Sequence, residues 1–304
     1  MALTRKAMLE HFSRSLMAFQ ASSERFSVLY TLPWSSDAKR FPQNPRTVQD
    51  GTSDSNALEI PERLVVLDSS FNPPTRAHAA MLRSAVAASS KSIDKDEGTT
   101  RVLLLLAVRN ADKAPQPAAF PSRLGMMERF GRELREWDEG TGITIDIGVT
   151  TEPYFHDKAQ AIQSSGFYGN SKQPEQVFLA GFDTLVRIFD PKYYADGGGM
   201  QTALGPFFEN SRLRVTLRAN DDWGSADEQR AWVRSLEEEG KENIEERGGR
   251  KEWLDRIDLV DGVEGEAVSS SRVRQAVKLG RDVNGMVGEQ VKRWIEEEGL
   301  YRDT

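Results

Sequence analysis

The residues best suited to chemistry lie in residues 64–88, which read LVVLDSSFNPPTRAHAAMLRSAVAA. An apolar run suited to a buried strand comes first, turn-forming residues follow, and apolar residues at helical spacing end the stretch. Thr75, after two prolines, is a natural helix N-cap, so His78 falls in the first helical turn. Because the first backbone N–H groups of a helix lack partners within it, this helix start favours a phosphate. A plain helix cap with an incidental histidine would use the same residues.

A second helix start with similar chemistry lies near the carboxyl end, where residues 268–274 read VSSSRVR before an apolar-periodic helix that should stop at Gly280. The hydroxyl groups of Ser270 and Ser271, the guanidinium of Arg274 and the first N–H groups of the helix could all bind one anion. Taken alone, the stretch could equally be an N-cap followed by solvated arginines.

The elements that must position these residues alternate between strand and helix. Apolar or alternating runs predict strands at 64–67, 102–108, 142–149, 177–180, 213–217 and 256–260. Helical patterns separate them, which predicts an α/β domain with a parallel sheet and helices on both faces. The run at 142–149 alternates apolar and polar residues, so we expect a half-buried strand near the sheet edge.

The length, composition and net charge of the chain limit its possible domain organisation and its possible binding partners. The 304 residues are 38% hydrophobic and can form one large domain, which we place at 61–304 with a charged surface insertion at about 222–251. The net charge of −7 argues against binding a nucleic acid polymer, whereas small anions remain possible. The absence of cysteine excludes disulfides and thiolate metal sites. No apolar run reaches membrane-spanning length, so we expect a soluble protein without a membrane partner.

Residues 1–60 are interpreted as an N-terminal extension made of a helix and a polar linker. The amphipathic pattern of the first twenty residues could belong to a mitochondrial presequence, but Glu10 and Glu24 are unfavourable in one. We therefore favour a docking helix and a cytoplasmic or nuclear location, with a mitochondrial one left open.

The two helix starts resemble known motifs. Residues 70–78 resemble the S-F-N-P-x-T-x-x-H signature of the nucleotidyltransferases, and residues 269–274 resemble their I-S-S-T-x-x-R motif. The nicotinamide mononucleotide adenylyltransferases are the nearest branch. Gly181 and Asp183 resemble the G-x-D of that family, and the similarity runs from about Arg63 to Tyr301. Ser69 departs from the pattern, since the family usually has glycine there.

The resemblance implies a Rossmann-like nucleotidyltransferase fold and a set of site residues. Its implied catalytic residues are Thr75, His78 and Arg274. Its implied ATP-binding residues are Ser69, Ser70, Phe71, His78, Gly181, Asp183, Ser270, Ser271 and Arg274. Acceptor binding is assigned to Lys113, Arg123, Phe155 and Arg218, where Phe155 (or Tyr154) would stack on a nicotinamide ring.

The implied reaction transfers AMP from ATP to nicotinamide mononucleotide and releases NAD and pyrophosphate. The incoming phosphate is already an anion, so the protein needs to align the two substrates and stabilise charge on the leaving group. Mg²⁺ is expected to bind mainly phosphate oxygens and water, so no protein residue is assigned as a metal ligand.

Three alternatives remain open. A divergent relative could hydrolyse ATP because its acceptor site has drifted. Three departures from the family support this: Ser69, the absence of the usual tryptophan near Phe155, and Leu217, which interrupts the resemblance of residues 215–221 to the strand motif V-T-R-x-x-N-D. A silent member could sense a nucleotide or bind a protein partner through residues 222–251. The acceptor could also be another phosphorylated compound such as phosphopantetheine, or CTP could replace ATP.

Overall fold

Seven strands form one sheet in the computed structural model, which describes residues 4–32, 60–92, 99–108, 117–136, 143–195, 197–217, 223–240, 242–262 and 268–302. The strands are β1 (Phe26–Leu32), β2 (Arg63–Asp68), β3 (Thr100–Ala107), β4 (Thr144–Thr150), β5 (Glu175–Gly181), β6 (Ser211–Leu217) and β7 (Ile257–Asp261). Their order is β1-β4-β3-β2-β5-β6-β7, and every neighbouring pair is parallel except β1 with β4. Without β1 this is the doubly wound order, so the prediction of a Rossmann-like parallel sheet is confirmed.

Helices cover both faces of the sheet. They are α1 (Arg5–Ala21), α2 (Arg76–Ser92), α3 (Phe120–Glu136), α4 (Phe155–Ser164), α5 (Phe182–Ile188), α6 (Met200–Asn210), α7 (Ala226–Ser235), α8 (Ser270–Lys278) and α9 (Glu289–Glu297). Alternate residues of β2 point to opposite faces: Val65 and Leu67 pack with α1, α2, α3, α8 and α9, whereas Leu64 and Val66 pack with α4 to α7. Because both faces are covered, the strand is apolar throughout. No helix in the described part of the chain is long and apolar enough to cross a membrane.

The amino-terminal segment contributes a strand that the sequence analysis did not foresee. After α1, which packs against α3, the chain forms β1 and pairs antiparallel with β4. The strand pattern at β1 is weak because, of its seven residues, Phe26 and Leu32 at the two ends are the buried ones. The division between an extension at 1–60 and a domain at 61–304 remains a prediction.

The expectation that β4 is half buried was wrong. Six of its seven residues are buried, including Asp146 on the face expected to meet solvent. Asp146 accepts two hydrogen bonds from Arg101, at 2.6 and 2.9 Å, one from Thr31 at 2.6 Å and one from Tyr168 at 2.9 Å. Burial chiefly raises the pKa of Tyr168, which keeps its hydroxyl protonated as a donor. Paired and hydrogen-bonded in this way, the carboxylate can be buried in the strand.

The charged segment at 222–251 is less helical than its composition suggests. Within the part described, α7 is followed by turns, and Val233, Leu236 and Ile244 are buried against the α4-to-α7 side of the sheet. Trp232 packs edge-on against Phe182, with ring centres 5.4 Å apart. This tryptophan thus helps to hold the segment onto the domain.

Helix α3 lies so close to α9 that a side chain at Gly125 would collide with Trp294. A Cβ atom there would lie 2.2 Å from the indole ring, so we expect Gly125→Ala to lower the free energy of unfolding by about 1–3 kcal/mol. Gly131→Ala in the same helix is the matched comparison, because its Cβ would meet the end of the flexible Leu32 side chain at 2.5 Å. Urea denaturation of both variants tests this. If Gly125→Ala lowers the free energy of unfolding no more than Gly131→Ala does, the contact between Gly125 and Trp294 is not rigid.

Candidate active site

A cavity of about 560 Å³ opens at the carboxyl ends of β2 and β5. The strand order reverses between these two strands, and open α/β sheets bind their ligands at such a point. The cavity wall combines the end of β2, the start of α2, the start of α5, the start of α4 and the start of α8. Four helix N-termini therefore line one cavity, which suits it to anionic ligands.

His78 is held in a defined tautomer at the start of α2. The backbone N–H of Thr75 donates to Nδ1 of His78 at 2.9 Å, so Nδ1 carries a lone pair and the ring proton lies on Nε2. The Thr75 hydroxyl also lies 2.9 Å from Nδ1. Nε2 in turn donates to the Ser69 hydroxyl at 3.0 Å. The imidazole thus presents an N–H donor at a cavity that Ser69, Thr75 and His78 all line.

The start of α8 is bonded directly to the loop that precedes α2. Ser269 caps α8 by accepting a hydrogen bond from the N–H of Arg272 at 3.2 Å. Ser270 donates its hydroxyl to the carbonyl oxygen of Pro73 at 2.8 Å, and Arg274 donates to the carbonyl oxygen of Asn72 at 2.8 Å. The two helix starts that the motifs identified are consequently held side by side.

A tyrosine near the carboxyl end, Tyr301, also supports the loop that precedes α2. The hydroxyl of Tyr301 donates to the side-chain oxygen of Asn72 at 2.8 Å, and both residues are buried. Burial is the main reason that the pKa of Tyr301 is raised, so its hydroxyl stays a donor. Sequence reasoning assigned no role to Asn72 or Tyr301, although both lie in stretches that resemble the family.

The side of the cavity formed by the start of α4 and by residues 193–194 is aromatic. Its lining residues are Tyr154, Phe155, His156, Tyr193 and Tyr194. The rings of Tyr154 and His156 stack 5.6 Å apart at an interplanar angle of 5°, and Tyr154 is 45% exposed. Burial lowers the pKa of His156, which favours a neutral ring. These flat surfaces can stack on a planar heterocycle.

Asp68 and Lys158 form a buried ion pair in the cavity wall that sequence reasoning missed. Their side chains are 10% and 5% exposed, and Lys158 Nζ contacts an Asp68 carboxylate oxygen. The sequence did offer a signal for Asp68, because it is the last residue of β2 and lies at the carboxyl edge of the sheet. Nothing in the pattern marked Lys158 as its partner, since the two residues are 90 positions apart.

The structure brings seven of the proposed site residues to the cavity wall. They are Ser69, Thr75, His78, Phe155, Gly181, Asp183 and Ser270. Gly181 and Asp183 stand at the N-cap and in the first turn of α5. Phe155 packs on Phe178 with ring centres 5.4 Å apart, while also facing the cavity.

The other proposed residues lie beside the cavity or outside the described part of the chain. Ser271 accepts a hydrogen bond from Arg274 at 3.0 Å, and neither is among the described lining residues. Ser70 is exposed, whereas the Phe71 ring is fully buried 5.8 Å from the His78 ring. That burial leaves the Phe71 backbone, rather than its ring, to meet a ligand.

Three cations had been assigned to acceptor binding. Arg123 is half-buried near the start of α3, where its Nε donates to the carbonyl oxygen of Ala118 at 2.8 Å, and burial lowers the pKa of its guanidinium. It is not among the described residues of the cavity wall. Lys113 and Arg218 lie outside the described residues.

The strand order and the paired helix starts, with their motifs, define a Rossmann-like nucleotidyltransferase. A Schizosaccharomyces pombe protein provisionally named a nicotinamide mononucleotide adenylyltransferase is 35% identical over 227 residues, which cover 73% of this chain and 79% of the yeast protein. The chain belongs to the nicotinamide mononucleotide adenylyltransferase family. No protein-family model matches it.

Solved structures of more distant proteins also match. One is a Vibrio parahaemolyticus protein provisionally named a nicotinate-nucleotide adenylyltransferase, with 15% identity, 80% of this chain and 97% of that chain covered, and a TM-score of 0.43. Another is the Plasmodium falciparum nicotinic acid mononucleotide adenylyltransferase complexed with NaAD, with 13% identity, 80% and 98% covered, and a TM-score of 0.46. At such TM-scores these matches add no argument, and the family assignment rests on the yeast relative.

Proposed function

We propose that this chain transfers the adenylyl group of ATP to nicotinamide mononucleotide, giving NAD and pyrophosphate. The observation that carries the proposal is the direct bonding of the α8 start to the loop before α2, at a cavity on the switch point of the sheet. A triphosphate has several anionic groups, and paired helix N-termini can stabilise more than one of them. Membership of the adenylyltransferase family supports the same reaction.

The proposed chemistry is a single displacement at phosphorus. A 5′-phosphate oxygen of the mononucleotide forms a bond to the α-phosphorus of ATP, and the bond from that phosphorus to the bridging oxygen of the β-phosphate breaks. Pyrophosphate leaves with the bonding electrons, so no protein nucleophile takes part. The chain needs to align the two phosphates and to stabilise the charge that develops between them.

His78 is proposed as the donor to the reacting phosphates. In the structure its Nε2–H donates to Ser69, and a small change would direct it to a phosphate oxygen of ATP. The Thr75 N–H would keep the proton on Nε2 throughout, because it occupies Nδ1. The backbone of the Ser70 and Phe71 loop would approach the same phosphates.

Ser270, Ser271 and Arg274 are proposed to hold the β- and γ-phosphates. Arg274 has five N–H donors, and its bonds to Asn72 and Ser271 use two of them. The guanidinium can therefore keep the two helix starts together while it donates to a phosphate.

The nucleosides are proposed to bind on either side of these phosphates. Gly181 and Asp183 at the start of α5 would bind the ATP ribose, with the Asp183 carboxylate accepting hydrogen bonds from its hydroxyl groups. Phe155 would stack on the pyridine ring of the acceptor. Arg123, together with Lys113 and Arg218 outside the described residues, is proposed to bind the mononucleotide phosphate.

Mg²⁺ is proposed to enter with ATP. No group of three His, Cys, Asp or Glu side chains in the described ranges is placed to hold a metal ion, whereas Mg²⁺ commonly binds through phosphate oxygens, water and one or two carboxylates. The donor chemistry at the cavity fits this mode, with the ion supplying charge neutralisation to the departing pyrophosphate.

The experiment that tests the proposal mixes the protein with Mg-ATP and nicotinamide mononucleotide and follows NAD, pyrophosphate and free phosphate together. NAD and pyrophosphate are expected in equal amounts. Free phosphate without NAD would contradict the proposal and assign ATP hydrolysis instead. Binding of ATP without turnover would point to a nucleotide-sensing protein.

A further inference from the structure

The Asp68–Lys158 ion pair faces the cavity but has no part in the transfer described above. Asp68 comes from the end of β2, and Lys158 comes from α4, three residues after Phe155. Lys158 Nζ also lies 5.5 Å from the centre of the Phe155 ring. A positively charged hydrogen-bond donor and a negatively charged hydrogen-bond acceptor therefore lie beside the Phe155 ring, which is proposed to stack on the acceptor mononucleotide.

Stability alone is a poor explanation for such a pair. Removing two charges from water is unfavourable, and buried ion pairs can often be replaced by apolar side chains without loss of stability. The remaining side chains at this end of the cavity are mainly aromatic. A charge pair retained in the wall of a cavity is better explained by a polar group of the ligand.

We propose that Asp68 and Lys158 select an acceptor whose pyridine ring carries a neutral carboxamide over one that carries a carboxylate. The proposal rests on the proposed function and names the substrate preference of the same site. A carboxamide has one acceptor oxygen and one donor NH₂ group, which match the Lys158 ammonium and the Asp68 carboxylate respectively. A carboxylate can bind the ammonium, but its second oxygen meets the negative charge of Asp68, and like charges side by side are strongly unfavourable.

The position of the pair agrees with the rest of the cavity. The phosphates belong at the polar end, where His78 and Ser270 stand on adjacent helix starts. A planar ring joined to one of those phosphates then extends towards the aromatic end. Phe155 and Lys158 lie there on one face of α4, at helical spacing.

The test compares nicotinamide mononucleotide with nicotinate mononucleotide in the wild type and in variants of the pair, using kcat/KM with Mg-ATP and calorimetric binding of each mononucleotide. Asp68→Asn removes the repulsion and leaves Lys158 to attract a carboxylate, so the preference for the carboxamide should fall by roughly tenfold or more. Lys158→Met leaves the Asp68 charge, so the same preference should rise. Opposite shifts from two variants of one pair are not produced by a loss of structure.

Two further variants complete the design. The double variant, Asp68→Asn with Lys158→Met, leaves no unpaired buried charge, so it should fold even if a single variant does not. Its kcat/KM values for the two mononucleotides should become more nearly equal. Lys172→Met breaks an exposed ion pair with Glu62 away from the cavity and should leave the preference unchanged.

The outcomes separate the two proposals. A wild type that makes no NAD would overturn the proposed function, and one that binds neither mononucleotide would overturn both. NAD formation with the same acceptor preference in every variant would overturn the role of the pair and leave the reaction intact. A changed KM for ATP with an unchanged acceptor preference would assign the pair to the adenine ring and also overturn the inference.

Discussion

Replacing His78 by alanine is expected to lower the turnover number about a hundredfold to a thousandfold, the range seen when one preorganised donor to a transition state is removed. The structural reason is the hydrogen bond from the Thr75 N–H, which holds the ring with its proton on Nε2. That proton is in place before the substrates arrive, so only a small shift from Ser69 to a phosphate oxygen is needed before charge develops on the phosphates. Steady-state kinetics with Mg-ATP and nicotinamide mononucleotide measure the effect.

Two variants sharpen this test. Thr75→Ala keeps the backbone N–H that sets the tautomer and loses the hydroxyl, so its turnover should fall less than that of His78→Ala. His11→Gln changes a histidine of α1 that contacts the carbonyl oxygen of Leu29, and it should leave turnover close to that of the wild type. A loss of less than roughly threefold for His78→Ala would remove His78 from the chemistry.

Replacing Asp146 by alanine is expected to lower the free energy of unfolding by about 3–5 kcal/mol, because it leaves the buried Arg101 charge unpaired. The carboxylate also accepts hydrogen bonds from Thr31 on β1 and from Tyr168, and those donors would lose their partner. The variant therefore weakens the attachment of β1 as well as the contact between β3 and β4. Urea denaturation measures the change.

Asp258→Ala is the matched control for Asp146→Ala. It removes a carboxylate that pairs with Arg212 at 2.9 Å, again between neighbouring strands, but both side chains are partly exposed at 41% and 25%. Water can solvate the remaining arginine, so the expected loss is less than about 1 kcal/mol. Equal losses at the two positions would show that the Asp146 network is no stronger than a surface pair.

Much of the framework could be predicted from local patterns. The central strands are continuous apolar runs because both of their faces are covered, and such runs are visible without knowing what covers them. The two helix starts were visible for a similar reason, since proline, serine and threonine act on the backbone next to them.

The features that escaped prediction depend on partners far away in the chain. Strand β1 forms because it pairs with β4, which lies more than a hundred residues later in the chain. Its own sequence does not indicate this partner. Asp146 looked like a solvent-facing residue because its pattern alternates, whereas Arg101, 45 positions earlier, neutralises it in the interior. Lys158 similarly pairs with the distant Asp68, and no local sequence pattern indicates this pairing.

The hydrogen bonds from Arg274 and Tyr301 to Asn72 join residues that are 202 and 229 positions apart in the chain. Translation proceeds from the amino terminus, and domains form in that direction as the chain emerges from the ribosome. The loop before α2 must therefore wait until residue 301 has been made before both of these supports exist. A nascent chain that ends before α8 would carry His78 and the sheet but lack Ser270 and Arg274, so we expect it to bind a triphosphate more weakly than the longer chain.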